Sequence, residues 1–220
     1  MTEGVPGLVP IARRSTSSLI LDQLRERIVD GTFPAGSQVA EAQLAATFGI
    51  SRGPVREALQ RLIQEGLLVN IRNRGVFVVE LGPIDVEDLF FSRRLIERQA
   101  AGLLWKSKDE RHLARLRESA EDMAAVPAAE WSRLVERDLA FHESLVASAD
   151  SPRLTRMFAT LAAETRICLS NLPVREPRPD LLAEEHRGLV ALLRDGGEAS
   201  LLAALDSHLD SSLRRLTARD

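Results

Sequence analysis

Four polar residues in the second half of the chain lie where helical patterns are otherwise apolar. Asp138 and His142 are four residues apart and therefore point the same way from one helix. His186 and His208 each lie among leucines in two later helical patterns. A buried carboxylate is costly unless it is paired, hydrogen-bonded or bound to a metal. One Asp and three His facing a common interior therefore predict a divalent metal site with Asp138, His142, His186 and His208 as ligands.

The identity of the metal stays open at this level. Zinc, nickel and manganese are the candidates, and a fifth ligand such as a carboxylate favours nickel or manganese over closed four-coordinate zinc. Each histidine taken alone is better explained as a core residue with one hydrogen-bond partner, so the metal interpretation depends on the four residues occurring together. The remaining histidine, His112, lies between Arg111 and Arg115, and we expect it to be exposed and unrelated.

A second set of residues, all basic, lies near the N-terminus. Residues 41–62 have the pattern of a helix, a tight turn and a second helix. Gly49 supplies the positive φ that ends the first helix, and Ser51 is placed to cap the second. Arg52 and Arg56 then project from the start of that second helix, where a recognition helix meets bases and phosphates in the major groove.

Two β-rich runs follow this helix pair, and they flank a turn from Arg72 to Gly75. Together they predict a hairpin, and a hairpin after a helix-turn-helix makes a winged helix. Its tip carries Arg72, Arg74 and Gly75, which are placed for the minor groove or for phosphates. The net charge of the chain is −3, but residues 52–74 hold five arginines against two glutamates. Local charge therefore favours DNA over a merely solvated basic turn.

The surrounding pattern predicts a mostly α protein of two domains. We expect a flexible arm at 1–15, a winged helix-turn-helix at 16–81 whose first helix spans Ser17 to Asp30, and a six-helix all-α bundle at 84–220. Gly82-Pro83 marks the boundary. The six helices are expected at 84–106, 109–125, 128–149, 151–171, 178–195 and 198–217.

Composition excludes several classes of protein. No apolar run is long enough to span a bilayer, and no apolar segment follows Arg13-Arg14, so we expect neither a membrane helix nor a signal peptide. A single cysteine, Cys168, excludes an intramolecular disulfide and suits a reducing cytoplasm. A cytoplasmic protein without membrane contact is therefore expected.

The region from about Ser18 to Val79 resembles the N-terminal DNA-binding domain of the GntR family of bacterial transcription regulators. The matching motifs include Pro34-Ala-Gly36, Phe48-Gly-Ile-Ser-Arg52, Pro54-Val-Arg-Glu-Ala-Leu59 and Glu65-Gly-Leu67. The resemblance implies that Arg52, Arg56 and the Arg74-Gly75 wing tip contact operator DNA. Where many members carry an arginine after the residue matching Glu41, this chain has Ala42.

The remainder resembles the helical effector domain of the FadR-like branch, in the VanR-like subgroup with six helices. The matches are Asp138-Leu-Ala-Phe-His142, Glu185-His186 and Ser207-His208. This resemblance implies a bound metal ion and a small carboxylate effector that completes the coordination shell of the metal. Arg93 and Glu97 match the pattern of the first helix, and Phe91 replaces its first glutamate. Arg93 lies on the apolar face of this helix, where its guanidinium can form a bidentate pair with a carboxylate. Arg166 is a second candidate for the effector pocket.

These observations predict an effector-responsive transcription regulator that represses as a homodimer on an inverted repeat of double-stranded DNA and responds to a small organic acid. Two alternatives stay open. Three histidines and an aspartate could activate water, as in a metal-dependent hydrolase or isomerase with an accessory winged helix. The winged helix could instead bind protein, although Arg52, Arg56 and Arg74 argue against that.

Overall fold

The computed structural model of this chain describes residues 15–170 and 178–217. Residues 1–14 of the predicted arm and residues 218–220 at the end of the predicted bundle lie outside the described residues. Within the described ranges the chain is mostly helical, with one small sheet near the N-terminus. The predicted fold class, a winged helix-turn-helix followed by a helical bundle, is confirmed.

The N-terminal part contains three helices and three short strands. Gly49, with φ 65°, ends the first helix of the predicted pair, and Ser51 occupies the N-cap of the second. The sheet is antiparallel with strand order β1-β3-β2, and Val69 lies opposite Phe77. The bounds are α1 Thr16–Val29, β1 Gln38–Val39, α2 Glu41–Phe48, α3 Arg52–Gln64, β2 Leu68–Ile71 and β3 Gly75–Val78. Strand β1 was not predicted, because two residues carry no readable alternation.

Six helices follow in the described residues, and their bounds are close to those predicted. The largest difference is at the third, which begins at Trp131 instead of residue 128. The backbone N–H of Glu130 bonds to the carbonyl of Pro127, so the intervening residues form a turn before the helix. The bounds are α4 Pro83–Ser107, α5 Glu110–Ala124, α6 Trp131–Ala147, α7 Pro152–Ser170, α8 Pro179–Asp195 and α9 Glu198–Thr217.

The hydrophobic core follows these two parts with one exception. Ile20 and Leu24 of α1 pack against α3 to form the core of the winged helix, and that core also includes Ala163 and Ile167 of α7. The other face of α7 packs within the bundle. One helix of the bundle therefore belongs to both cores. No helix in the described part of the chain is long and apolar enough to cross a membrane.

Candidate metal centre and nucleic-acid interface

The helical bundle brings together the four residues that the sequence singled out. Helix α6 turns Asp138 and His142 inward on successive turns, and α8 and α9 supply His186 and His208. All four side chains are buried, and one potential ligand atom from each lies within 4.8 Å of the others. A single ion bonded at about 2 Å to each would bring these atoms to within about 4 Å of one another. The predicted cluster therefore exists in the folded chain.

The imidazoles face one another through their Nε2 atoms. The Nε2 atoms of His142 and His208 are 3.1 Å apart. Oδ1 of Asp138 lies 3.3 Å from Nε2 of His186, 3.9 Å from Nε2 of His142 and 4.0 Å from Nε2 of His208. These four atoms enclose one point in the bundle interior.

The far nitrogen of each histidine is held by an acceptor. Nδ1 of His142 donates to Glu97 at 2.5 Å, and Nδ1 of His208 donates to Glu185 at 2.9 Å. Nδ1 of His186 donates to the backbone carbonyl of Leu182 at 2.7 Å. Because each Nδ1 donates its hydrogen to an acceptor, the neutral form of each ring presents the lone pair of Nε2 to the centre. Acceptors behind ligating histidines fix tautomer and ring orientation in metal sites.

Burial and charge set the protonation of this cluster. Burial lowers the pKa of His208 to about 4, despite the opposing effect of the hydrogen bond that its Nδ1 donates to Glu185. Burial alone would raise the pKa of Glu97, but Arg93 and His142 outweigh it and lower that pKa to about 2. The three histidines likewise hold the pKa of Asp138 below its usual value against burial. At neutral pH the site therefore holds carboxylates and a neutral His208, which is the state that binds a cation.

The residues present fit a divalent transition metal. Among the described residues, Oδ1 of Asp138 and Nε2 of His186 are buried and have no hydrogen-bond partner. Two imidazole lone pairs 3.1 Å apart, as in His142 and His208, repel each other unless a proton or a cation lies between them. A cation bound by all four atoms would remove both costs.

Arg93 lies behind this cluster. It is 1% exposed, and its Nε donates to Oε1 of Glu97 at 2.9 Å, the same carboxylate that holds His142. Its guanidinium carbon lies 5.1 Å from the ring centre of Phe90 and 5.8 Å from that of Phe158. Its Nη2 has no hydrogen-bond partner within the described chain. Arg93 therefore keeps one buried donor that an anion could satisfy.

The structure does not bring Arg166 to the predicted pocket. Its Nε lies 2.8 Å from Oε1 of Glu136, although not aligned as a hydrogen bond, and its Nη2 lies 3.9 Å from Glu143. Glu136 and Glu143 lie on the side of α6 opposite to Asp138 and His142, given the helical repeat of 3.6 residues. Arg166 pairs with Glu136 and Glu143 on α6, so the structure does not place it beside the metal cluster.

Two further residues, Phe91 and His112, lie apart from the metal cluster. Phe91, which occupies the position of the family's first glutamate, is 59% exposed and lies on the side of α4 opposite to Arg93. It therefore does not line the metal pocket. His112 is half-buried, not exposed, with Nε2 at 3.8 Å from Asp150, and it stays apart from the cluster.

Sequence reasoning missed the residues that complete the site. Glu185 precedes the candidate ligand His186 in the sequence, yet its carboxylate accepts a hydrogen bond from Nδ1 of His208 and fixes that ring. A cavity of about 20 Å³, room for about one water, reaches Asp138. Its wall includes Trp131, Leu169, Ser212 and Arg215. Only the position of Glu185 next to a candidate ligand could have marked it beforehand.

The predicted DNA residues form an exposed surface on the winged helix. Ser51 and Arg52 are exposed at the start of α3, and the hydroxyl of Ser51 makes no capping hydrogen bond. Arg56 is also exposed, but it forms a bidentate ion pair with Glu41 through bonds of 2.8 and 3.0 Å. This pair lowers the pKa of Glu41 and orients the guanidinium. Arg56 is thus pre-positioned, a contact that the sequence did not reveal.

The wing tip has the predicted hairpin geometry. Arg72, Arg74 and Gly75 are exposed, and Asn73 and Gly75 adopt positive φ angles of 62° and 103°. The side chain of Gln38 donates to the carbonyl of Arg74 at 2.8 Å and so ties the tip to β1. A Cβ atom at Gly75 would lie 3.1 Å from that amide nitrogen. Gln38 therefore supports the tip, and this role too was not predicted.

Known proteins match both parts of the chain. Residues 16–78 match the family described as bacterial regulatory proteins, gntR family, and residues 88–211 match the FCD domain. A relative from Paenarthrobacter nicotinovorans named "Probable D-xylose utilization operon transcriptional repressor" is 30% identical over 207 residues, which are 92% of this chain and 91% of the relative.

Two other matches agree. An uncharacterized HTH-type transcriptional regulator of Bacillus subtilis is 29% identical over 168 residues, 76% of this chain and 75% of the relative. A crystal structure from Rhodococcus sp. RHA1, described as a transcriptional regulator GntR, superimposes with a TM-score of 0.77 at 24% identity. It covers 94% of this chain and 100% of that one, which supports the shared fold.

The six-helix bundle is consistent with the VanR-like subgroup of the FadR-like branch. The matched domains and relatives are transcription regulators, so the hydrolase or isomerase alternative is set aside. This chain belongs to the GntR family of bacterial transcription regulators, with an N-terminal winged helix and a C-terminal FCD domain.

Proposed function

We propose that the helical domain binds one divalent metal ion, zinc, nickel or manganese, through Asp138, His142, His186 and His208. The observation that carries this proposal is the orientation of the three imidazoles. Each holds Nδ1 against an acceptor, so each turns Nε2 toward Oδ1 of Asp138. Core histidines packed for stability alone would have no reason to align three lone pairs.

The proposed effector is a small organic acid that binds beside the metal. A bound divalent ion would supply positive charge and an oxygen-binding position for a carboxylate. Arg93, with its unpartnered Nη2, supplies a second positive group behind the cluster. Anions are therefore favoured over neutral or cationic ligands of the same size.

The winged helix is proposed to bind a short inverted repeat in double-stranded DNA. Arg52 and Arg56 on α3 would meet base edges, and Ser51 together with Arg72, Arg74 and Gly75 at the wing would meet the backbone or the minor groove. This is supported by the exposure of these residues on one small domain. An inverted repeat requires two winged helices related by a two-fold axis.

An exposed apolar stripe on α4 supports assembly into a homodimer. Ile84, Phe91 and Leu95 share one helix face and are 81%, 59% and 58% exposed. Large apolar side chains in a contiguous exposed row mark interaction sites. A second copy of the chain is the occupant we propose for this stripe.

The charges beside the stripe favour that occupant. Glu87 and Asp88 lie N-terminal to Phe91 on α4, and Arg94 and Arg98 lie C-terminal to it. Both arginines are already ordered by ion pairs with Asp210 and Asp206 of α9. Two copies of α4 packed antiparallel about a two-fold axis near Phe91 would place the acidic end of one against the basic end of the other. Such a contact is self-complementary.

Sedimentation analysis tests the dimer. The double substitution Phe91→Asp with Leu95→Asp should convert a dimer to monomers, because it places four carboxylates in the contact. Met157→Asp is the matched control, since Met157 is also 59% exposed but lies on α7. A dimer that survives the α4 double substitution would contradict this interface.

Repression is the proposed outcome of DNA binding, supported by the name of the Paenarthrobacter relative. Elemental analysis of the purified protein, with mass spectrometry of co-purified small molecules, tests the metal and the effector together. We expect one divalent ion per chain and an organic acid released on denaturation. Purified protein that holds no ion and gains no thermal stability from any of the three metals would overturn the proposed site.

A further inference from the structure

Helix α7 has two buried faces on opposite sides. Phe158, Ala162 and Leu169 share one face and pack with α4 and α6 in the bundle. Ala163 and Ile167 lie on the opposite face and are buried in the core of the winged helix. The separation follows from the helical repeat, which places the two sets more than a quarter turn apart.

The inner face of α7 borders the proposed ligand site. Leu169 forms part of the wall of the cavity that reaches Asp138, and its carbonyl accepts a hydrogen bond from Nε1 of Trp131 at 2.8 Å. That cavity has room for about one water. A carboxylate that reaches Asp138 through this cavity must therefore displace part of its wall.

The outer face of α7 contacts the winged helix closely. A Cβ atom at Gly66 would lie 3.0 Å from Cγ2 of Thr160, and Gly66 also has a φ of 78°, which strains any other residue. Gly66 follows α3, the helix that carries Arg52 and Arg56. The absence of a Cβ atom at Gly66 therefore allows α7 to approach the turn that leads from α3 to the wing.

A second line of contacts joins the cluster to the same helix. His142 bonds to Glu97, Glu97 bonds to Arg93, and the guanidinium of Arg93 lies over the ring of Phe158. Both routes out of the cluster, through Leu169 and through Phe158, end on the inner face of α7. Among the cavity walls in the described chain, α7 is the helix that also supplies residues to the winged-helix core.

From this placement we infer that α7 transmits ligand binding to the DNA-binding domain. A carboxylate at the metal displaces Leu169, α7 shifts, and the winged helix moves with Thr160, Ala163 and Ile167. This inference rests on the proposed ligand site. It identifies the element by which occupancy of that site changes the position of Arg52 and Arg56. Tightly packed cores shift between discrete arrangements, which suits such a helix to transmission.

Hydrogen–deuterium exchange on the full chain tests this, with Ni²⁺ and then Ni²⁺ plus acetate as the probes. In the wild-type protein we expect acetate to change amide exchange in α1 by about fivefold or more, the lower range of measured couplings. In Ile167→Ala, acetate and nickel should bind as before, but α1 should no longer respond. Met157→Ala, an exposed position on the same helix, is the control and should respond like wild type.

Two outcomes would overturn the inference, and one would support it. An equal α1 response in Ile167→Ala, or no α1 response in wild-type protein that binds both probes, would overturn it. Should Ile167→Ala unfold the winged helix, Thr160→Ser removes only the methyl group that faces Gly66 and should give a reduced response. Loss of the response confined to these outer-face variants supports the inference.

An experiment on metal-free protein tests this inference independently of the proposed ligand site. Leu169→Ala alters the inner face of α7 without any ligand. It should change α1 exchange in the wild-type background and leave α1 unchanged in the Ile167→Ala background. If neither nickel nor acetate binds, the proposed site fails, and this experiment still decides whether α7 couples the two domains. An unchanged α1 in the single Leu169→Ala variant would overturn the coupling.

Discussion

The DNA-facing surface and the metal cluster hold their functional side chains in opposite ways. Arg52, Arg72 and Arg74 are exposed, whereas His142 and His186 are fully buried with every far nitrogen occupied. Exposed arginines gain affinity from phosphates and lose it to salt. Buried, pre-oriented ligands lose affinity when any support is removed. Substitutions should therefore act on the first region through DNA contacts and on the second through orientation.

The largest effect should come from the recognition helix. Arg52→Ala combined with Arg56→Ala should abolish specific operator binding, since each base contact contributes about 1–3 kcal/mol. Fluorescence anisotropy with operator and scrambled DNA measures this. The control is Glu41→Ala, which frees Arg56 from its ion pair but removes no arginine, and should weaken binding less. Wild-type operator affinity in the double variant would contradict the assignment.

The pH dependence of the free energy of unfolding tests the buried metal cluster. Burial holds the pKa of His208 at about 4 in the folded protein, below the ordinary value of 6.5. Between these values the unfolded chain binds a proton that the folded chain does not, so stability rises with pH there. Metal-free protein should therefore lose up to about 3 kcal/mol as pH falls from 6.5 to 4. Protonation of Glu97 adds to the loss only below about 4.5.

Urea unfolding at a series of pH values measures this slope. His208→Asn keeps a polar side chain of similar size but does not titrate, so it should flatten the curve between pH 6.5 and 4.5. A wild-type slope retained in His208→Asn would assign the effect to another group.

A smaller effect is expected from the support of His208. Glu185→Gln keeps an acceptor oxygen near Nδ1 but removes the charge, and should weaken metal affinity by about 10–100-fold. Calorimetric titration with nickel measures it. Glu184→Gln is the matched control, because Glu184 is the neighbouring glutamate and pairs with Arg187 at the surface. Equal losses in the two variants would exclude a specific role for Glu185.

The smallest effect should come from the wing. Arg74→Ala should weaken binding to all DNA sequences evenly and reduce the slope of log affinity against log salt by about 1. Titrations at several salt concentrations measure this slope. A loss confined to the operator would instead indicate that Arg74 reads bases.

Much of this architecture could be predicted from local patterns. The spacing of Asp138 and His142 fixed their shared face, and Gly49 and Ser51 marked the turn between α2 and α3. Acceptors for the histidines could not be predicted in the same way. Leu182 contributes a backbone carbonyl, which no side-chain pattern reveals, and Glu97 meets His142 only after α4 packs on α6.

The contacts that the sequence did not predict have a common cause. Arg166 lies on an amphipathic helix whose neighbours are decided by tertiary packing, and its partners Glu136 and Glu143 proved to be on the outer side of α6. Ala163 and Ile167 are ordinary apolar residues, and nothing in their spacing indicates that they complete another domain's core. Periodicity predicts that a face is buried, but not against which element.

The central claim is that the four buried residues bind one metal ion, and X-ray absorption at the metal edge tests it most directly. Wild-type protein loaded with nickel should show one ion per chain with imidazole nitrogens in its first shell, and Asp138→Ala with His208→Ala should show none bound at equal concentration. A wild-type protein that binds no stoichiometric ion, or a double variant that retains the same imidazole spectrum, would contradict the claim.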